Sequence, residues 1–230
     1  MRTISLLLWG MVSFPLLLAQ SGHAEWFDQS WKEFLAYPRL QDSIDLAHLN
    51  LDLLDAAVFH MSNRVRQENK RTVLRFDPSL RGVADFHARA MAKHDFVSHF
   101  NRHNWLYSTL TKRSNRFHAR ALSENVASAF LFNYQSNTSY YVIREFQPPQ
   151  FYRDRDAQRI VPFTYYEFAE ELVNRWLNSP GHRRNLLSLK ATRLGCAIRV
   201  SEKERTLQNG IPVAHCVQNF GADRPAENGQ

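Results

Sequence analysis

Three residues stand out by type and setting as able to do chemistry: His99 in "FVSHF", Glu124 in "SENVA" and His182 in "SPGH". Each lies at the end of an expected element, where binding and catalytic groups tend to be carried. Two neutral imidazoles and one carboxylate suit Zn²⁺ or a similar divalent cation, with one position left for water. Water held that way is acidified and can act as a nucleophile. Without metal, Glu124 could orient a histidine, and a histidine titrating near neutrality could serve as base. The bland alternative is a hydrogen-bonded cluster that only fixes the shape of a cleft. No nucleophile with clear activation accompanies the three. Ser179 is close to His182 along the chain, but it is better suited to capping a helix. No local spacing links the three residues, so the fold must assemble any site they form.

The elements that would do so are legible in part. From about Asp42 to Lys70, apolar residues recur at three- and four-residue steps, from Ile44 and Leu46 to Met61 and Val65, which predicts a helix. "RTVLRF" (71–76) is short and extended. A second helix opens with Asp77 as cap and Pro78 at its first position, where a missing N–H costs nothing. Leu80, Val83, Ala84, His87, Met91 and His94 share one face of it, so His87 is expected as a satisfied histidine at the core edge, and His94 similarly. A third helix starts at Thr164 with Glu167 three residues on, a capping box. Its apolar stripe is Phe168, Leu172, Val173 and Trp176. Ser179, Pro180 and Gly181 then place His182 at the third position of a short helix. There the positive helix start favours a neutral imidazole.

Two alternating segments follow, 193–200 and 211–221, around a turn signal at Asn209-Gly210. They are expected to pair antiparallel with Cys196 opposite Cys216 and Val200 opposite Pro212. A cross-strand disulfide would then fit. Between Phe130 and Phe163 lies an aromatic-rich block with "QPPQ" at 147–150, expected as a surface excursion with "SYYVIREF" as one strand of a hairpin. The sharper alternative is a wall or lid over a cleft.

Bulk properties set the compartment and exclude some classes. Residues 1–24 combine one arginine, a long apolar run and small residues ending at Ala24, the layout of a signal peptide; the competing reading is an uncleaved anchor helix, for which the run is on the short side. The rest, 25–230, holds no run apolar enough to span a membrane, so the mature chain is expected to have no transmembrane span. The sequence has 230 residues and a formal charge of +7, one less without Arg2. Its basic residues are scattered, with no stripe of interleaved aromatics, which argues against a nucleic-acid partner. Attraction to anionic envelope lipids or polymers is what the charge supports. Two cysteines in an exported chain most simply make one disulfide. Residues 25–50, with Trp26, Phe27, Trp31 and Phe34, look like an amphipathic lead-in packing on the surface. Residues 222–230 look like a loose tail.

The ordered set Asn63-x-x-Arg66, "HARAMAKHDFVSH" (87–99), "SENVA" (123–127), "VNRWLNSPGHRRNLL" (173–187), "LGCAI" (194–198) and "VQNFG" (217–221) resembles the CAP superfamily, or SCP domain, in its bacterial form. That family takes in cysteine-rich secretory proteins, antigen 5 and plant pathogenesis-related proteins. The resemblance covers roughly Leu51 to Gly221. It implies an α+β fold, a three-layer α-β-α sandwich with a small antiparallel sheet. It also implies a cleft with two histidines and two glutamates, of which His99, Glu124 and His182 match three. The second glutamate's position holds Ser179, and Ser123 replaces the usual glycine before Glu124. The expectation is an exported protein, periplasmic or extracellular, whose cleft binds a small-molecule, lipid-like, peptide or cell-envelope ligand, with or without a divalent metal on the histidines. The alternatives are a metal-assisted hydrolase of peptides or cell-wall material, and a purely structural or interaction protein.

Overall fold

A computed structural model describes residues 25–134, 139–146, 150–154, 157–201 and 212–223. The expected signal peptide, the Asn209-Gly210 turn, most of "QPPQ" and nearly all of the tail lie outside the described residues. The elements in chain order are α1 (Glu25–Asp28), α2 (Trp31–Leu35), α3 (Leu51–Glu68), β1 (Arg75–Phe76), α4 (Pro78–His94), α5 (Leu110–Arg116), β2 (Ala121–Phe130), β3 (Tyr140–Ile143), β4 (Gln150–Arg153), β5 (Arg159–Ile160), α6 (Tyr165–Asn178), α7 (Pro180–Leu186), β6 (Arg193–Val200) and β7 (Val213–Gly221). Short 3₁₀ turns occur at Pro38–Gln41 and Trp105–Tyr107.

One sheet runs in the order β1-β6-β7-β2, with β1 parallel to β6 and the other pairs antiparallel. Its two faces carry different layers. Ala197, Val217 and Val126 pack with Ala84, Ala88 and Met91 of α4. Cys196, Ile198, Ala214 and Cys216 face the larger core with α3 and α6. The result is the expected α-β-α sandwich. Gly195 is what lets α4 lie so close to the sheet: a Cβ there would fall 2.1 Å from the Arg81 nitrogen.

The local signals for helix starts hold. Asp77 accepts hydrogen bonds from the N–H groups of Ser79 and Leu80, and Thr164 and Glu167 form a reciprocal capping box. The first long helix starts later than its apolar pattern suggests, because Asn50 caps it by accepting from the Leu53 N–H. The preceding backbone pairs elsewhere: the Ile44 N–H donates to the Phe163 carbonyl, and Ser43 bridges Thr164.

Three expectations need correction. The lead-in is not a surface layer. Trp26, Phe27, Phe34, Leu40 and Ile44 are buried in the main core, with Phe27 stacked on Phe76 at 3.9 Å and Phe34 stacked on His60 at 4.3 Å. The hairpin register is two residues away from that expected. Ile198 faces Cys216, Cys196 faces Gln218, and Val200 faces Ala214. The Cys196–Cys216 disulfide is therefore absent and both cysteines are free and buried. Diagonal positions on paired strands are roughly 7–8 Å apart, too far to bridge without moving backbone. His94, finally, is exposed at the end of α4 and stacks on His103 instead of joining the core edge.

The aromatic block forms a second sheet, β3-β4-β5. Tyr141 and Tyr152 stack across β3 and β4, while Phe132, Phe151 and Ile160 reach into the main core. Strand β3 is shorter than "SYYVIREF". Among the described residues, no helix is long and apolar enough to cross a membrane.

Candidate functional site

Glu124 lies on β2, the edge strand, paired with Asn219 of β7. Its side chain is 2% exposed. Burying a carboxylate is costly unless charge and hydrogen bonds compensate it. Arg113 of α5 supplies the charge. Its guanidinium is fully buried and donates to Oε1 at 3.0 Å and Oε2 at 2.8 Å. The Asn219 amide, oriented to suit both neighbours, donates to Oε2 at 3.2 Å and accepts from the Ala84 N–H. His99 donates from Nδ1 to Oε1 at 3.0 Å. A carboxylate can only accept, so the proton sits on Nδ1 and Nε2 is left facing away.

The loop that delivers His99 leaves α4 through Asp95, whose left-handed backbone (φ 52°) turns the chain. His87 then holds the loop by donating from Nε2 to the Ser98 carbonyl at 2.8 Å. The histidine is buried at the core as the sequence predicts but only half satisfied, since its Nδ1 is buried without a partner, and burial lowers its pKa to about 4. Arg113 adds bonds to the carbonyls of His99 and Ser108, so one buried cation fixes both the carboxylate and the loop.

His182 arrives from the opposite face of β2. Ser179 ends α6 and starts α7, with Pro180 at the first position, although its hydroxyl makes no capping bond. Two asparagines stitch α7 to the strand. Asn125 donates to the His182 carbonyl at 3.3 Å, and Asn185 donates to the Glu124 carbonyl at 3.1 Å and to the Asn125 side chain at 2.9 Å. The His182 ring makes no hydrogen bond among the described residues.

The two imidazoles are thus brought close enough to feel each other, and their surroundings push them apart in acidity. The hydrogen bond to Glu124 raises the pKa of His99 against burial and the charge of Arg113. Burial, then the charges of His99 and Arg175, lower that of His182. At Glu124 burial works upward, but the His99 hydrogen bond, Arg113 and His87 outweigh it and lower the carboxyl.

All three sequence-predicted residues meet at this edge. Their arrangement does not fit the expected metal set. Both oxygens of Glu124 are taken by Arg113, His99 and Asn219, and among the described residues no three His, Cys, Asp or Glu side chains are grouped to hold a metal. What the site offers is one outward-facing imidazole biased toward the cation and one biased toward neutrality. The sequence reading missed Arg113. The only signal was that α5 holds no acid, so its arginines must find partners elsewhere. The other quoted family residues are braces. Asn63 both donates to and accepts from the Leu74 backbone, and Arg66 reaches the carbonyls of Leu186 and Ser188.

A sandwich of this layering, with paired histidines over an edge-strand glutamate, defines a class of protein domain. Residues 59–220 match the family model described as CAP, the cysteine-rich secretory protein family, and the chain belongs to that family. No curated protein matches the chain. Solved structures similar to it include an extracellular protein containing a SCP domain from Bacillus anthracis, at 20% identity and TM-score 0.48 over 75% of this chain and 41% of that one. An outer surface protein from Borrelia burgdorferi matches at 15% identity and TM-score 0.46, over 80% of this chain and 99% of its own. A cysteine-rich secretory protein from Staphylococcus aureus matches at 11% identity and TM-score 0.41, over 75% of this chain and 39% of its own.

Proposed function

We propose that the chain is an exported binding module whose edge-strand cleft takes an acidic group of a lipid-like, peptide or cell-envelope ligand between His99 and His182. The observation that carries this is the contrast within one hydrogen-bonded pair: the His99 side chain is 60% exposed, while Glu124, to which it is tied, is 2% exposed. Arg113 offsets the charge of Glu124, so a protonated His99 leaves the site with a net positive charge facing outward. His182 stays neutral and can donate or accept. A carboxylate or phosphate would find a charge-assisted donor at Nε2 of His99, the stronger kind of hydrogen bond. The site has donors poised for recognition and no activated nucleophile, which favours binding over turnover. The apolar run at 1–24 and the secretory family support export to the periplasm or beyond the cell.

The test is mass spectrometry of small molecules retained by the chain from its native compartment, followed by binding of the compound found. Saturable binding that is lost in both His99→Ala and His182→Ala supports the reading. Unchanged binding in both variants overturns it.

A further inference from the structure

The loop between α4 and α5 and the helix that follows it combine surface cations with exposed large apolar side chains. From Phe96 to Ser123 there is no aspartate or glutamate, while Arg102, Lys112, Arg113, Arg116 and Arg120 supply five cations. Arg113 is spent on Glu124; the others lie at or near the surface. The same loop leaves large apolar side chains in water: Trp105 is 75% exposed, Leu106 52%, and Val97 and Phe100 48% each. Four of the ten exposed large apolar residues described thus fall within ten positions of one loop. Exposed apolar side chains scattered singly need no explanation, but a cluster does.

The loop is also held in shape. The Asn101 N–H donates to the Ser108 carbonyl at 2.9 Å, His103 stacks on His94 and lies tilted against Phe96, and the Ser108 carbonyl accepts from buried Arg113. Lys112 donates to the Trp105 carbonyl at 2.9 Å and places its ammonium 5.8 Å from the Trp105 ring centroid. Arg116 lies over Tyr107 at 4.8 Å. Projecting indole and aliphatic tips with cations at their base match the layered chemistry of a membrane surface. Tryptophan is amphipathic and sits at headgroup depth, leucine and phenylalanine enter the acyl boundary, and each nearby Lys or Arg is attracted by anionic lipid. These side chains are exposed, and a fluid bilayer needs no matching shape.

We infer that the 96–107 loop, with Lys112 and Arg116 behind it, docks the protein on a lipid surface bearing anionic headgroups. This stands on exposure and charge, independently of what the histidine cleft binds. The test uses residues 25–230, which contain the whole described core, in sedimentation with vesicles of phosphatidylglycerol mixed into phosphatidylcholine, and with phosphatidylcholine alone. The chain is expected to bind the anionic vesicles at least tenfold more tightly at low salt, and to lose that preference as salt rises. Trp105→Ser with Leu106→Ser should weaken binding tenfold or more. Lys112→Glu should weaken it too. That change is locally compatible, since Thr109 caps α5 and glutamate three residues on completes a capping box. The loop variants should keep the His99 titration seen by NMR, which separates loss of docking from loss of the cleft. Equal binding to both vesicle types, or loop variants that bind anionic vesicles as the parent does, overturns the inference.

Discussion

Two buried carboxylates meet arginines in this molecule, and they end differently. Asp55 on α3 is fully buried between Arg81 of α4 and Arg199 of β6. It also accepts the Ile198 N–H at 2.7 Å. Beyond it the two arginines continue to Asp52 and Asp85. Every lone pair of Asp55 is spent inside the fold, tying both helix layers to the sheet. Glu124 has one arginine and the Asn219 amide, and its last partner is an imidazole that is mostly in water. Burial is the largest influence on both. At Asp55 it prevails and raises the pKa, while at Glu124 the neighbours prevail and lower it. A buried ion pair by itself therefore says little about function; what matters is whether its last partner faces protein or solvent.

Breaking the structural pair should have the largest effect. Asp55→Ala removes the buried carboxylate shared by two guanidiniums, leaves a hollow between them and is expected to lower stability by about 3–5 kcal/mol, read by denaturant unfolding. Protonation of either buried histidine should come next. His60 and His87 are buried with pKa values near 4, whereas in the unfolded chain they titrate near 6.5. The unfolded state thus binds protons that the native state refuses, so stability is lost as pH falls through that window, by about 3 kcal/mol for each histidine at its lower end. Denaturant unfolding at successive pH values, with His87→Gln flattening the profile, checks this. Glu124→Gln is expected to cost about 1–3 kcal/mol, since the amide keeps the shape but not the charge facing Arg113. It should also let the His99 pKa fall toward its ordinary value, as read by NMR titration, because the hydrogen bond that raises it is weakened. His99→Ala should change stability least, within about 0.5 kcal/mol, because its ring is mostly exposed. If His99→Ala destabilises as much as Asp55→Ala, the contrast between the two carboxylates collapses.

What the sequence disclosed was mostly local. The Asp77 and Thr164 starts are decided within three residues, and the structure reproduces both. His99, Glu124 and His182 were found through type, position and family resemblance, and they meet at one edge. Arg113 was not found because its partners are 11 and 14 residues away, and nothing in "TKRSNR" says which arginine turns inward. The hairpin register failed for a different reason. A one-residue slip inverts every side chain and is readable from alternation, but a two-residue slip leaves each face unchanged. Cys196 facing Gln218 and Cys196 facing Cys216 present the same inward pattern, so alternation could not separate them. The lead-in was misjudged because the residues that cover it, His60 and Phe76, lie far along the chain.

That same two-residue offset has a consequence for how the molecule is made. With Cys196 and Cys216 seated diagonally as separate thiols in the core, no covalent crosslink has to form before the hairpin is complete. Burial also raises both thiol pKa values far from the range where thiolates react. Maturation of this fold is therefore indifferent to the oxidising machinery of whatever compartment receives it, and dithiothreitol should leave its melting temperature where it was.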